Sequence, residues 1–237
     1  MKNQLINRIK AYAKNAISSC SLDTERYIEE YAKQTDMRVE ENPQQAIGGM
    51  WEEIGQLQFE YLVRNGLKPA HTLLDIGCGT LRGGRHFIRY MNESNYYGID
   101  ISEKALKYAR KLIDSEALLK KHPTLLLNSK KNLKFEEFQK IEFDYILAQS
   151  VFTHLPKDMI IECINNIANI MHKDTMFFFT FHKSDYCHRS KFKEFHYPFS
   201  FIQKLAKENG FVAVDDSAAY RHPKKQRQCM VKLVKKQ

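Results

Sequence analysis

The stretch LLDIGCGTLRGG, Leu73 to Gly84, limits the possible fold more than any other part of the chain. An apolar run breaks at Asp75, the glycines Gly77, Gly79, Gly83 and Gly84 follow, and GRHFIRYMN then takes up helical spacing. A strand that runs through a glycine turn into a helix is how an open α/β sheet builds a ligand site at its carboxyl edge. Glycine tolerates positive φ and lets a ligand approach the main chain. The spacing here is GxGxxxG, one residue longer than the GxGxxG that cradles a dinucleotide pyrophosphate, and with Asp75 upstream it points away from NAD. A second acid, Asp100, closes NYYGID about 20 residues later, where a carboxylate accepts hydrogen bonds from ribose hydroxyls. An adenosine-containing ligand follows from that pair of acids.

The rest of the chain supports this frame. Residues 1–66 hold no convincing strand, and apolar residues recur there at helical spacing, as in Trp51, Ile54, Leu57, Tyr61 and Leu62. This part is expected to be an N-terminal helical extension or cap. Residues 67–237 alternate strand-like and helical runs, which predicts one α/β domain. Strands are expected at HTLLDI, NYYGID, TLLLN, FDYILAQ and TMFFFTF, followed by a helix, PFSFIQKLAKENG, and a final strand pair, FVAVDDSAAY and RQCMVKLVKK. Ser102 is the expected N-cap of SEKALKYARKLIDSEALLKK, and Lys157–Met171 is read as a helix begun at Pro156.

LLDIGCGT, YYGIDIS and FDYILAQSVFTHLP together resemble the class I S-adenosylmethionine-dependent methyltransferases, with the likeness running over residues 67–237. The resemblance implies a Rossmann-like seven-stranded sheet whose last strand is antiparallel, and S-adenosyl-L-methionine as cofactor. It implies that Gly77, Cys78 and Gly79 lie under the methionine part, that Asp75 reaches the amino group through water, and that Asp100, with Ile101 beside it, holds the ribose. The adenine contact after the third strand falls to Asn128 or Ser129, because LLLNSKKNL lacks the usual carboxylate, and Gln149 stands at the end of the fourth strand. The wider stretch GGMWEEIGQLQFEYLVRNGLKPAHTLLDIGCGTLRGG is similar to uncharacterised bacterial methyltransferases, some associated with surface glycan genes. That likeness puts Trp51, Gly55 and Gln58 on a helix covering the cofactor; an amphipathic helix with Trp51 in its own packing explains the pattern equally well.

The acceptor is read by elimination. AQSVF follows the fourth strand where adenine and glutamine N-methyltransferases carry an Asp/Asn-Pro-Pro-aromatic motif, and no Pro-Cys pair is present for attack at cytosine carbon 5. A hydroxyl of a small molecule remains, with a glycan precursor implied only by the wider resemblance, and its proton needs a base. His154 and His182, just past the fourth and fifth strands, are the candidates. Phe152, Tyr186, His196 and Tyr197 are expected to form the acceptor wall.

A net charge of +9 admits a nucleic-acid partner, and an RNA methyltransferase is the second reading. The basic residues lack an aromatic-interleaved recognition module, so solvated faces explain them better, including Arg82, Arg85 and Arg89 on one helix face, whose alternative role is to attract an anionic acceptor. A non-catalytic cofactor-binding module of the same fold is the third. The basic N-terminus, residues 1–20, has the pattern of a helix that rests on an anionic membrane. Five scattered cysteines without a CxxC pair read as free thiols in the cytoplasm, and His182, Cys187 and His188 match no zinc spacing, so no metal is expected.

Overall fold

The computed structural model describes residues 22–223 and 228–236. The expected N-terminal membrane helix therefore lies outside the described residues. Three helices open the described residues: α1 (Thr24–Glu41), α2 (Pro43–Ala46) and α3 (Trp51–Arg64). Next come β1 (Leu73–Ile76), α4 (Gly84–Tyr90), β2 (Tyr96–Asp100), α5 (Glu103–Ser115), β3 (Thr124–Leu127), β4 (Phe143–Ala148), α6 (Lys157–Ile167) and β5 (Met171–Lys183). The chain ends with a hairpin of β6 (His188–Lys191) and β7 (Glu194–Tyr197), then α7 (Phe199–Glu208), β8 (Phe211–Asp215) and β9 (Gln228–Lys235). Among the described residues no helix is long and apolar enough to cross a membrane.

Among the described residues one mixed sheet carries all the strands. β3, β2, β1, β4 and β5 run parallel in that spatial order, β9 adds to β5 antiparallel from Phe177 to His182, and β8 pairs antiparallel with β9. The sheet has nine strands rather than seven. The added pair is the hairpin, whose β7 continues the end of β5 in parallel at His182 and Lys183. HRSK and EFHY are short and mostly polar, so no hydrophobic run announced them.

Alternation along the strands splits the core. Phe177, Phe179 and Phe181 face one side with Leu74, Ile76 and Ile146, against α6 and α7. Phe178 faces the other with Leu73, Tyr145 and Leu147, against α3, α4 and α5. Two helical forecasts were too long. The helix from Ser102 ends at Ser115, and the one begun at Pro156 ends at Ile167, after which a 3-10 turn enters β5 at Met171. Ser102 is the N-cap, its hydroxyl accepting from the Ala105 N–H at 3.1 Å.

The N-terminal helices lie across the carboxyl edge of the sheet. On α1, Asp36 accepts from Ser102 Oγ at 2.6 Å and from the Lys104 N–H, and the Tyr27 hydroxyl donates to the His154 carbonyl at 2.7 Å. Tyr27 also meets Phe195 of the hairpin edge to face, with centroids 5.3 Å apart. On α3, Gly55 is required because a Cβ there would stand 2.4 Å from the Arg82 carbonyl oxygen. That close approach seats α3 on the β1 turn.

Candidate active site

Where β1, β2, β4 and β5 end, α1, the 46–48 turn and the hairpin enclose a cavity of about 620 Å³. Its floor is the glycine turn. Gly77 and Gly79 hold φ of +70° and +54°, and a Cβ on Gly77 would strike Val151 Cγ2 at 2.5 Å. Gly77 and Cys78 both donate main-chain N–H groups to the Ile99 carbonyl, which fastens the turn to β2.

Asp100 closes that corner. One carboxylate oxygen accepts from the Gly79 N–H and the other from the Ser102 N–H, each at 2.8 Å. Burial raises its pKa while these backbone donors oppose the rise. Asp75 is 5% exposed and accepts from the Tyr96 hydroxyl at 2.8 Å; burial lifts its pKa to about 7, against the pull of that bond. A smaller, mostly apolar cavity of about 70 Å³ adjoins at Gly77, Asp100 and Val151, lined by Ile28, Ile99, Ile101, Asn128 and Leu133 among others.

The larger cavity also holds the histidines. His154 Nδ1 lies 2.5 Å from the Lys193 carbonyl oxygen, which can only accept, so the proton sits on Nδ1 and Nε2 keeps its lone pair. Burial lowers the His154 pKa to about 4, leaving the ring neutral at physiological pH. His182 lines the same cavity at 9% exposure, its pKa also lowered by burial, and its ring stacks on His196 with centroids 4.8 Å apart. Among the described residues no three metal-ligating side chains converge.

The structure thus brings Asp75, Gly77, Cys78, Gly79, Asp100, Gln58, Gln149, His154, His182 and His196 to one cavity, and Ile101 and Asn128 to its neighbour. It places five other candidates elsewhere. Trp51 stacks under the Arg85 guanidinium at 5.2 Å, away from the cavity. Ser129 is exposed beyond β3, so the place after that strand falls to Asn128. Phe152 is a core residue, fully buried and stacked 4.2 Å from Phe179. Tyr197 is buried with its hydroxyl donating to the Leu155 carbonyl at 2.8 Å, and Tyr186 is 47% exposed against His188.

Other cavity residues escaped sequence reasoning. Tyr31, Thr35 and Arg38 come from α1, Lys191 and Lys193 from the hairpin, and Arg82 from the turn itself. Arg82 and Arg85 are buried, not solvated. Arg82 Nη1 donates to the Ile47 and Gly49 carbonyls at 2.9 Å each, which ties the loop before α3 to the cavity floor. At the end of β4, Gln149 accepts from the Tyr220 hydroxyl at 2.9 Å, and Ser150 adopts a left-handed φ of +58°. Strain of that kind at a cavity rim persists only where surroundings enforce it.

Comparison with known proteins agrees with this geometry. Residues 74–177 match a family model described as a methyltransferase domain. Among solved structures, the fold is similar to a S-adenosylmethionine-dependent methyltransferase from Leishmania major, at 13% identity over 88% of this chain and 83% of that one, with TM-score 0.68. It is similar to the CcbJ methyltransferase from Streptomyces caelestis, at 14% identity over 87% and 98%, with TM-score 0.64. It is also similar to magnesium protoporphyrin IX methyltransferase from Synechocystis, at 18% identity over 77% and 80%, with TM-score 0.58. With the glycine turn, the Asp100 corner and the antiparallel β9 in place, the chain has the fold of the S-adenosylmethionine-dependent methyltransferases, and its residues 74–177 match a methyltransferase domain.

Proposed function

We propose that this enzyme moves the methyl group of S-adenosylmethionine directly onto a hydroxyl of a small molecule or glycan precursor. The observation that carries the reading is that a neutral His154 shares one cavity with the glycine turn and Asp100. The residues present fit the cofactor: glycines at 77 and 79 leave the turn open, Asp75 and Asp100 face the space beside it, and a small, mostly apolar cavity adjoins Asp100. When bound, the cofactor supplies a sulfonium-activated methyl group.

The chain's own residues do the rest. Gly77 and Gly79 permit close approach of the methionine part, and Asp75 favours its ammonium. Asp100 accepts from the ribose hydroxyls, and Ile101 and Asn128 flank the adenine. His154 Nε2 or His182 takes the acceptor's proton as the new bond forms. Gln58 and Gln149 border the cavity between these groups. The thiols of Cys78, Cys163 and Cys229, which form no disulfide, suit a reducing cytoplasm, where we place the enzyme.

Asp75 offers a test of cofactor placement. With its pKa raised to about 7, much of it is protonated below neutrality; an ammonium nearby favours the carboxylate, so binding expels that proton. Calorimetry at about pH 6 in buffers of different ionisation enthalpy should show proton release on S-adenosylhomocysteine binding, diminishing well above pH 7 and absent in Asp75→Asn. Equal release by that variant would place the ammonium elsewhere. An RNA acceptor is tested separately, because RNA retention and methylation that depend on sequence and survive high salt would favour it over a small molecule.

A further inference from the structure

Three cations and one carboxylate, Glu194, line the cavity near the histidines. Arg38 of α1 and Lys191 and Lys193 of the hairpin line it beside His154 and His182. Lys191 is neutralised by Glu194 at 3.1 Å. Arg38 and Lys193 are not: Arg38 Nη2 donates to the neutral Gln34 amide oxygen at 3.1 Å, and neither forms an ion pair among the described residues. Lys193 is partly buried, and burial and the nearby Arg38 charge both push its pKa down. Like charges facing one cavity repel each other until an anion enters.

The backbone links these charges to the chemistry. The carbonyl of Lys193 is the acceptor for His154 Nδ1, so the residue that orients the ring also carries the ammonium. The cofactor's own carboxylate has a separate candidate partner in Arg82, which lies on the glycine turn, 7% exposed, with a buried Nε that has no hydrogen-bond partner.

We propose that the methyl acceptor is itself anionic, carrying a phosphate or carboxylate that docks between Arg38 and Lys193 and presents its hydroxyl to the histidines. This rests on the methyl-transfer reading above and narrows its substrate class.

The test uses the full chain saturated with S-adenosylhomocysteine, with inorganic phosphate and acetate as probes. Thermal unfolding is followed as each is titrated at ionic strength matched with chloride, since added salt alone shifts stability. At least one probe should raise the midpoint saturably. Arg38→Gln/Lys193→Met should need about tenfold more of it or show no saturable rise, whereas Arg38→Lys/Lys193→Arg should behave as wild type. Calorimetry of S-adenosylhomocysteine and of 5′-methylthioadenosine, which lacks the carboxylate, should give wild-type affinities in both double variants. An identical rise in wild type and the Gln/Met variant overturns the proposal, and so does no rise in wild type. Loss of affinity for S-adenosylhomocysteine with 5′-methylthioadenosine binding kept assigns the two cations to the cofactor instead and also overturns it. If wild type fails to bind S-adenosylhomocysteine at all, the methyl-transfer reading falls first and the inference with it.

Discussion

Asp100→Ala is expected to weaken binding of S-adenosylmethionine and S-adenosylhomocysteine by about a hundredfold or more. The carboxylate does two jobs, and the substitution ends both. It offers charged acceptors for ribose hydroxyls, each such hydrogen bond contributing on the order of 1.5–3 kcal/mol where every 1.4 kcal/mol is tenfold in affinity. It also accepts from the main-chain N–H groups of Gly79 and Ser102, so its loss leaves a donor of the cofactor turn without a partner. Asp100→Asn should fall between, because one side of the amide turns a donor toward a backbone donor. Calorimetry on folded protein measures this directly. Wild-type affinity in Asp100→Ala would move the ribose out of this corner.

The second large effect concerns turnover. If one histidine is the base, its replacement by Ala should lower kcat by about a hundredfold or more while cofactor affinity stays nearly unchanged. His154 is the better placed, because the Lys193 carbonyl fixes its tautomer and the Tyr27 hydroxyl holds its main chain. Its pKa near 4 gives the sign of the pH dependence: the working form is the neutral ring, so activity should stay level through neutrality and fall as pH drops toward 4. His154→Gln keeps a donor for the Lys193 carbonyl but no base, and separates positioning from proton transfer. Full activity in both single Ala variants would leave orientation of the acceptor as the source of rate.

What the sequence disclosed and what it hid follow from how local each signal is. The strand–turn–helix of LLDIGCGTLRGG, the acid at Asp100 and the strand ends at Gln149 and His182 are set within a few residues, and those positions line the cavities as a sequence reader would place them. Residues that depend on long-range packing were hidden. Tyr31 and Arg38 reach the cavity because Asp36 docks α1 on Ser102 and Tyr27 docks it on His154, and nothing in TERYIEEYAKQTDMRVEE marks those contacts. Arg82 and Arg85 looked like a solvated face because their partners, the Ile47 and Gly49 carbonyls and Glu52, lie more than a helix away in sequence. Phe152 and Tyr197 carry aromatic rings suited to an acceptor wall, yet Phe179 and the Leu155 carbonyl claim them for the core. The hairpin escaped because its strands are too short and polar to show a buried face, although it supplies Lys193 to the site.

Methyl transfer itself is tested by incubating the protein with methyl-labelled S-adenosylmethionine and a small-molecule extract depleted of nucleic acid, followed by mass spectrometry. The account predicts S-adenosylhomocysteine formed in step with a labelled small molecule whose new methyl group sits on oxygen. Firm cofactor binding with no label in any such molecule, or label confined to nitrogen, would contradict it.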